Sequence, residues 1–328
     1  MHKAPGLKII IIIFIIFILS ITLYSVWYFQ IEKVTTLELK SIQKSLLNEN
    51  IELTWKHTTE SGFPYRIEKE LNDVNLKFNN TQFSTKILKI IYEPWNKKHI
   101  IFLIPNDINI LNVNKKITIH NSKVLASLTI DKLSTGRISI VSDKIMFNFK
   151  KNIYDLKNIE MHIKTNKTDD LQFAISMEKF SLPPLFIKEN TINKLYIKGD
   201  FLKYKNFDTN NYMGWLSKEG GIQLEKLKLA ISETNIIGNG FFSLDKNFDL
   251  LSTISISSNK LDNIFILLEK NNYISENTSI KADLIINAIK IASEISNKKA
   301  IFSIKMQNGN LYLMDIKLIK VPNFKKYL

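Results

Sequence analysis

The stretch IIIIIFIIFILSITLYSVWYFQI, residues 9–31, contains 23 residues and no charged side chain. An α-helix needs about 20 mostly apolar residues to cross the roughly 30 Å hydrocarbon core of a bilayer. Near the far end, Tyr24, Trp27 and Tyr28 supply aromatic rings of the kind that collect at the membrane–water interface. The stretch therefore predicts a transmembrane helix over residues 9–31.

The flanks of this stretch indicate its orientation. Lys3 and Lys8 precede it, whereas Glu32 and Lys33 after it balance each other. Because the cytoplasmic flank carries the excess of Lys and Arg, residues 1–8 are predicted to be cytoplasmic and the rest of the chain is predicted to lie on the other side of the membrane. A cleaved signal peptide stays open as an alternative, although the small residues of a cleavage site are missing, and so does a buried core helix.

Residues 32–50 are predicted to form a short amphipathic helix. Val34, Leu39, Ile42 and Leu46 recur at roughly helical spacing, with Lys, Glu and Gln between them. Such a helix either acts as a stalk that lifts the next domain off the membrane or packs on the sheet of that domain. The sequence leaves both interpretations open.

From residue 51 to 328 the main pattern has a period of two, which predicts a mainly β (α+β) domain. Large apolar side chains alternate with polar ones, and short connections rich in Asn, Asp, Lys and Ser favour antiparallel pairing. The apolar members of the clearest runs are Val74, Leu76 and Phe78; Val124, Ala126, Leu128 and Ile130; Ile145, Phe147 and Phe149; Ile159, Met161 and Ile163; and Leu171, Phe173, Ile175 and Met177.

A change of phase predicts that the sheet is curved. Between Ile222 and Ile231 the apolar spacing slips by one residue at Glu225 and Lys226, as at a β-bulge. Because bulges bend sheets, we predict a large curved antiparallel sheet, half-barrel or groove-like, with a few helices packed on it.

Two helices and a hairpin are predicted near the C-terminal end. The apolar faces expected to pack are Leu261, Ile264, Phe265 and Leu268 in the first helix, and Leu284, Ala288 and Ile291 in a second helix over residues 280–292. Asn308-Gly309 between alternating runs predicts a tight hairpin. Pro183-Pro184 offers a possible division of the chain, but strand patterns continue on both sides, so one continuous sheet is preferred.

Composition excludes several classes of protein. The net charge of +14 comes almost entirely from Lys, since Arg66 and Arg137 are the only arginines. Abundant Lys, Asn and Ile together indicate an AT-rich coding sequence. Because two arginines offer few side chains for base readout, no nucleic-acid partner is predicted. The absence of cysteine excludes disulfides, thiolate zinc sites, a cysteine nucleophile and lipoprotein acylation.

No catalytic, cofactor-binding or metal-binding residue is predicted, and the chain is expected not to be an enzyme. Phosphate loops, nucleophile elbows and zinc-protease motifs are missing. Asp169-Asp170 reads as a solvated turn. The histidines are not spaced as metal ligands would be. They are His2, His57, His99, His120 and His162.

The segment Gly62-Phe63-Pro64-Tyr65-Arg66 predicts a turn that leads into a strand beginning near Ile67. We expect Phe63 and Tyr65 to pack on opposite sides of the proline. Arg66 is expected to tie the turn to a carboxylate or to backbone carbonyls, because its planar guanidinium offers several donors. A contact with a ligand is the other interpretation of this turn.

These and later motifs resemble the bacterial family called domain of unknown function 2125, from about residue 8 to the C-terminus. In chain order the motifs are Trp55, Gly62-Phe63-Pro64-Tyr65-Arg66, Pro94-Trp95-Asn96, Trp215, Gly220-Gly221-Ile222, Gly240-Phe-Phe-Ser-Leu-Asp245, the helix from Leu261, and Asn308-Gly309-Asn310-Leu-Tyr-Leu313 with Pro322. Met314-Asp315 stands where the family usually has glycine, and the chain is unusually rich in Lys and Asn. The resemblance implies an envelope protein of Gram-negative, alphaproteobacterial cells without an established activity. It marks as family-motif or structural-turn residues Gly62, Phe63, Pro64, Tyr65, Arg66, Trp95, Gly220, Gly221 and Gly309.

Three functions remain to be weighed. The first is a non-enzymatic protein that binds or handles lipid or another amphiphile on a β surface, by analogy with other membrane-anchored proteins of this kind. The second is a structural or assembly partner of envelope proteins that uses strand edges or the stalk helix. The third is an envelope hydrolase, which would need two converging titratable groups among His57, His99, His120, His162, Asp169 and Asp170.

Overall fold

The computed structural model divides the chain into two compact units, Met1–Thr118 (unit 1) and Ile119–Leu328 (unit 2). The described residues are 5–112, 115–130, 136–149, 152–165, 169–181, 191–207, 212–231, 233–258, 260–270, 274–295 and 300–324. Pro183 and Pro184 lie outside these ranges. The strands on either side of them, which end at Ser181 and begin at Thr191, pair with each other.

Unit 1 begins with one long helix. Helix α1 runs without interruption over Pro5–Asn48, so the predicted transmembrane segment and the predicted amphipathic segment form a single helix. Six strands that lie entirely in unit 1 follow it. They are β1 (Ile51–Thr54), β2 (His57–Ser61), β3 (Ile67–Phe78), β4 (Thr81–Glu93), β5 (Asn96–Ile104) and β6 (Ile108–Asn112).

The sheet of unit 1 is built around the antiparallel pair β3–β4. The two short strands β1 and β2 pair with opposite ends of β3, and β5 and β6 pair in the same way with β4. This arrangement places one face of β3 and β4 against α1. Strand β7 (Lys115–Asn121) contains the boundary between the two units.

The second half of α1 packs on this sheet and is not a free stalk. Tyr28 and Leu39 are buried together with the apolar side chains of β3 and β4. Thr35, one helical turn before Leu39, is fully buried. The face predicted for this helix is therefore partly wrong, because Val34 and Ile42 are exposed. The period of the sequence predicts the helix, but the short side chain of Thr35 decides where the sheet can approach.

Unit 2 is an antiparallel meander in which each described strand pairs with the next one along the chain. The mainly β, antiparallel class predicted from the sequence is thereby confirmed. The strands are β8 (Val124–Ile130), β9 (Gly136–Phe149), β10 (Asn152–Thr165), β11 (Leu171–Ser181), β12 (Thr191–Leu202), β13 (Gly221–Ile231), β14 (Thr234–Leu244), β15 (Leu250–Ser258), β16 (Phe302–Gln307), β17 (Asn310–Leu313) and β18 (Ile316–Lys320).

The predicted bulge and hairpin are both present. The register of β13 with β14 shifts between Leu224 and Leu227, so that Glu225 and Lys226 lie opposite a single residue of β14. Because of this bulge, both leucines lie on the same face of the sheet. Between β16 and β17, Asn308 and Gly309 both have positive φ, at 51° and 67°. That pair of angles is the turn that Asn-Gly favours, since its twist matches the flanking strands.

Three α-helices and a short 3-10 helix (Tyr204–Asn206) complete the described part of unit 2. The α-helices are α2 (Tyr212–Leu216), α3 (Leu261–Lys270) and α4 (Glu276–Ile295). Phe265 of α3 is buried as expected, whereas the side chains of Leu261, Ile264 and Leu268 lie outside the described residues. The face predicted for α4 is wrong. Leu284, Ala288 and Ile291 are exposed, and α4 packs instead through its buried residues Ser279, Ala282 and Ile286.

The reason for this difference is that α4 carries two apolar stripes. Ala282 and Ile286 belong to the same buried cluster as Ile254 and Phe302 on the sheet, and Ala282 is fully buried. A small side chain at this position lets the helix approach the strands closely. Helical periodicity alone cannot choose between two apolar stripes, because both satisfy it.

Candidate functional site

The turn after β2 has a backbone that requires glycine. The amides of Tyr65 and Arg66 both donate to the carbonyl of Gly62, at 3.1 and 3.0 Å. Gly62 has φ of +106°, and a Cβ there would lie 2.3 Å from the carbonyl oxygen of Arg66. The Phe63–Pro64 peptide bond is cis. The two hydrogen bonds to the Gly62 carbonyl close the turn and leave the carbonyls of Pro64 and Arg66 free of partners within it.

This turn holds α1 by side-chain contacts. The hydroxyl of Tyr24 donates to the carbonyl of Pro64, and that of Tyr28 donates to the carbonyl of Arg66 at 2.9 Å. The ring of Phe63 packs edge-on against Tyr28, with centroids 5.0 Å apart, and stacks on Phe29 at 5.9 Å. The turn and the helix therefore form one aromatic joint, which we call the helix–turn joint (Tyr24, Tyr28, Phe29 and residues 62–66).

Tyr65 departs from the prediction for this turn. Its side chain is 76% exposed and does not pack opposite Phe63. Trp95, in the connection between β4 and β5, is also an exposed aromatic residue. Because Ile67 pairs with Tyr92, the Gly62–Arg66 turn and Trp95 leave the sheet of unit 1 at the same end. The predicted motif residues 62–66 and Trp95 are thus brought together.

Arg66 makes the carboxylate contact expected of it. Its Nη2 lies 2.9 Å from Oε2 of Glu68, a side chain that is almost fully buried. Lys89 on β4 reaches the other oxygen of Glu68 at 2.8 Å and Glu70 at 3.0 Å. Hydrogen bonds to these two carboxylates raise the pKa of Lys89. The network fastens the start of β3 to β4, directly behind the turn.

A second polar group fastens α1 to the sheet. The fully buried Lys69 of β3 pairs with Glu60 of β2, and its Nζ lies 2.6 Å from Oγ1 of Thr36 and 3.4 Å from the carbonyl of Glu32. Thr36 in turn contacts Glu60 at 3.0 Å. The buried Lys69 ammonium replaces its lost hydration shell by the hydrogen bonds that it donates to the helix and to the neighbouring strand.

The pKa values of the two carboxyls in this group, Glu32 and Glu60, are shifted in opposite directions. Burial and the nearby charge of Glu60 raise the pKa of Glu32. Burial also acts to raise the pKa of Glu60, but hydrogen bonds from Lys69 and Thr36 outweigh it, so that this pKa lies below the usual value for Glu. At neutral pH, Glu60 therefore carries the charge that pairs with Lys69.

The remaining motif residues lie in unit 2 and have packing roles. A Cβ at Gly220 would meet the ring of Trp215, and one at Gly221 would meet the ring of Phe241, in both cases within 2.4 Å. Trp215 donates to the carbonyl of Leu202 at 2.8 Å. Gly309 supplies the second positive φ of the β16–β17 hairpin. None of these three glycines is part of the helix–turn joint.

One face of unit 2 is apolar across many strands. The register aligns a row of side chains that runs strand by strand as Ala126, Ile140, Met161, Ile175, Ile197, Leu227, Gly238, Ile256 and Phe302. A parallel row contains Leu128, Ile138, Ile163, Phe173, Gly199, Leu224, Gly240, Ile254 and Ile304. The glycines within these rows lie where neighbouring strands approach closely.

The two ends of these rows differ in burial. Over β14–β16, Ile254, Ile256 and Phe302 are buried in a cluster with residues of α3 and α4. Over β8–β12, the apolar members of both rows are half-buried or exposed, Ile138 to 40%, and none joins that cluster. We call this second part the open apolar face (the row members on β8–β12).

Beside these rows, the opposite face of β9 and β10 carries polar side chains, and we call this part the polar face (Ser139, Glu160 and His162). Nδ1 of His162 lies 2.9 Å from Oγ of Ser139, and its Nε2 lies 3.8 Å from Glu160. Sequence reasoning missed this set, because its members come from two strands and share no motif. Among the described residues, no group of three or more His, Asp or Glu side chains is arranged to hold a metal ion.

The six residues named for a hydrolase do not converge in the contacts described. His162 contacts Ser139 and Glu160, Asp169 pairs with Lys205, and Asp170 accepts a hydrogen bond from the amide of Lys203. His57, His99 and His120 lie on the separate strands β2, β5 and β7.

Comparison with known proteins gives a family and no characterised relative. Residues 31–322 match the model of a family described as an uncharacterized protein conserved in bacteria, DUF2125. No curated protein and no solved structure matches the chain.

We predict that Gly62→Ala weakens the helix–turn joint. A side chain at this positive φ costs on the order of 1–3 kcal/mol, before the contact with the Arg66 carbonyl is counted. Gly136→Ala is the matched control, because its Cβ would meet its nearest neighbour at an ordinary 3.8 Å. Denaturant unfolding of the full chain in detergent should show a lower free energy of unfolding for Gly62→Ala and an unchanged one for Gly136→Ala. Equal effects of the two substitutions would contradict the proposed strain.

We predict opposite effects of the same chemical change at Glu60 and Glu32. Glu60→Gln leaves Lys69 without its charged partner and should lower the free energy of unfolding at pH 7 by up to about 3 kcal/mol, the low end for a broken buried pair, since Glu60 is partly in water. Glu32→Gln should raise stability at pH 8, because a carboxyl with a raised pKa stabilises below its unfolded pKa and loses that contribution as pH rises.

The pH profile of the unmodified chain supplies the control. The lowered pKa of Glu60 contributes stability above its unfolded value of about 4.3, and this contribution is lost as the pH falls through the folded value. Melting temperatures of the three proteins between pH 3.5 and 8 would test the assignment. Changes of the same sign in both variants at pH 8 would show that it is wrong.

Proposed function

The chain belongs to the bacterial family DUF2125, and from this premise we propose that it is a non-enzymatic, membrane-anchored protein that handles lipid in the cell envelope. In this proposal α1 spans the inner membrane and its N-terminus lies in the cytoplasm. The sheet of unit 1 and the whole of unit 2 lie in the periplasm. The open apolar face of unit 2 holds the apolar part of a lipid or of another amphiphile.

The anchor is supported by the character of α1. Among the described residues it is the one helix long and apolar enough to cross a membrane, and none of its most apolar 18-residue window is buried. A core helix of a soluble protein would be covered over that window. Retention of the segment is supported by the helix–turn joint, because cleavage beyond Tyr28 would remove contacts that bury part of the sheet.

The observation that carries the lipid proposal is the unequal burial along the apolar rows of unit 2. The same rows that α3 and α4 cover over β14–β16 continue over β8–β12 as half-buried Ile, Phe and Met side chains. Five strands about 4.8 Å apart make this part roughly 19 Å wide. An apolar surface of that extent favours a ligand, and the neighbouring membrane supplies acyl chains.

The polar face of unit 2 supports a non-enzymatic role. The contacts of Ser139 with His162 and of His162 with Glu160 follow the order of a hydrolytic triad. However, His162 and Glu160 are about half-exposed, and Nε2 of His162 lies 3.8 Å from Oε2 of Glu160. The backbone of β9 and β10 around them is paired in a continuous register. Its amides are therefore engaged in the sheet and do not form an oxyanion hole.

An assembly role is the second candidate. Leu37 and Leu47 are exposed on the side of α1 that does not face the sheet, which favours a partner on this helix. The edge-strand version of this role has less support. Strand β18, at the end of the meander, carries Lys317 and Lys320, and lysines on an edge strand oppose pairing with another chain.

Reporter fusions should place the C-terminal end in the periplasm. We expect alkaline phosphatase fused after residue 328 to be active and green fluorescent protein at the same site to stay dark. The control is a chain that lacks residues 5–23 but keeps the helix–turn joint, for which both signals should reverse. A fluorescent, phosphatase-negative full chain would overturn the proposed topology.

Photocrosslinking should detect lipid on the open apolar face. A benzoylphenylalanine at Ile140 or Ile175 of the full chain in its membrane should yield lipid adducts. The matched controls are Val141 and Ser176, the next residues on the same strands, which point to the opposite face and should yield none. Equal labelling of both faces, or adducts with protein alone, would contradict lipid binding, and the second result would favour the assembly role.

A further inference from the structure

The helix–turn joint sets the depth of unit 1 relative to the span of α1. Twenty residues counted from Ile9, the first after Lys8, end at Tyr28. At about 1.5 Å per residue they measure roughly 30 Å, the thickness of the hydrocarbon core. Tyr28 is also the residue whose hydroxyl holds the carbonyl of Arg66. The Gly62–Arg66 turn therefore meets α1 where the helix leaves the hydrocarbon.

The same end of the sheet exposes large aromatic side chains. Phe63 is 49% exposed, Tyr65 76% and Trp95 63%, and Trp27 of α1 is also partly exposed. In water these rings would leave a large apolar area uncovered. Tyr and Trp have an apolar body and a polar group, which suits the boundary between acyl chains and headgroups.

The attachment of α1 to the sheet is fixed at both ends of their contact. Tyr28 lies at the start of β3, and Gln43, four turns further along α1, donates to the carbonyl of Leu53 at 2.7 Å. Leu53 pairs with Leu76 near the far end of β3. With Lys69 between these points, α1 and β3 run side by side in the same direction, so β3 leads away from the membrane.

From these observations we infer that unit 1 docks on the bilayer by its sheet end. Phe63, Tyr65 and Trp95 insert into the headgroup layer of the same membrane that α1 spans. The inference rests on the proposed anchoring by α1 and adds that the domain is held at a fixed depth rather than on a free stalk. The occupant of this aromatic surface is the phospholipid headgroup layer.

Single-cysteine labelling can test this inference, because the chain has no cysteine of its own. Tyr65→Cys and Trp95→Cys report on the sheet end, and Leu19→Cys reports on the span. Phe78→Cys is the matched control, since it is also exposed and lies at the other end of β3, about 36 Å from Ile67. Each variant of the full chain is labelled with an environment-sensitive fluorophore in phosphatidylethanolamine–phosphatidylglycerol vesicles.

We expect nitroxide lipids to quench the labels at Leu19, Tyr65 and Trp95 and to leave the label at Phe78 unaffected. Iodide in the aqueous phase should quench Phe78 most. If Leu19 is quenched by lipid but Tyr65 and Trp95 behave like Phe78, the docking inference is wrong and the anchor stands. Absence of quenching at Leu19 would overturn the anchor as well.

One further outcome would also overturn the docking inference. Labels at Tyr65 and Trp95 that are shielded from iodide but not quenched by lipid would mean that protein covers the aromatic surface. Because Tyr65 and Trp95 are exposed, their replacement removes no buried contact, and the melting temperature of each labelled variant should match that of the unlabelled chain.

Discussion

The contact between the hydroxyls of Tyr24 and Tyr28 and the carbonyls of Pro64 and Arg66 is the constraint on which unit 1 depends. It joins the end of the apolar part of α1 to the residues that directly precede β3. A turn without its glycine could not present those carbonyls, because a Cβ at Gly62 would collide with the Arg66 backbone. The position of α1 and the folding of the sheet are thus coupled through a few backbone groups.

The polar groups behind this joint explain why the helix does not slide along the sheet. Apolar packing of Tyr28 and Leu39 is non-directional and would tolerate several positions of the helix. The buried Lys69, held by Glu60, Thr36 and the Glu32 carbonyl, accepts one geometry. A buried charge that loses its partners costs several kcal/mol, so the pairing selects a single register between α1 and β3.

In unit 2 the organising feature is a continuous register. Eight successive antiparallel pairings align Ala126 with side chains as far as Phe302, and the bulge at Glu225 and Lys226 keeps the row in phase. Helices α3 and α4 cover one end of the rows. Among the described residues, the surface proposed to hold a lipid thus continues a core beyond the strands that α3 and α4 cover.

The sequence alone determined the elements whose signals are local. A charge-free run of 23 residues, alternating strands, the bulge and the Asn-Gly turn each follow from neighbouring side chains and backbone preferences. Only the tertiary structure decided which faces are buried: Val34, Ile42, Leu284 and Ile291 fit their patterns but lie in solvent. The contacts that hold α1 to the sheet join residues more than 30 positions apart, such as Tyr24 with Pro64 and Thr36 with Lys69. Periodicity carries no information about such pairs.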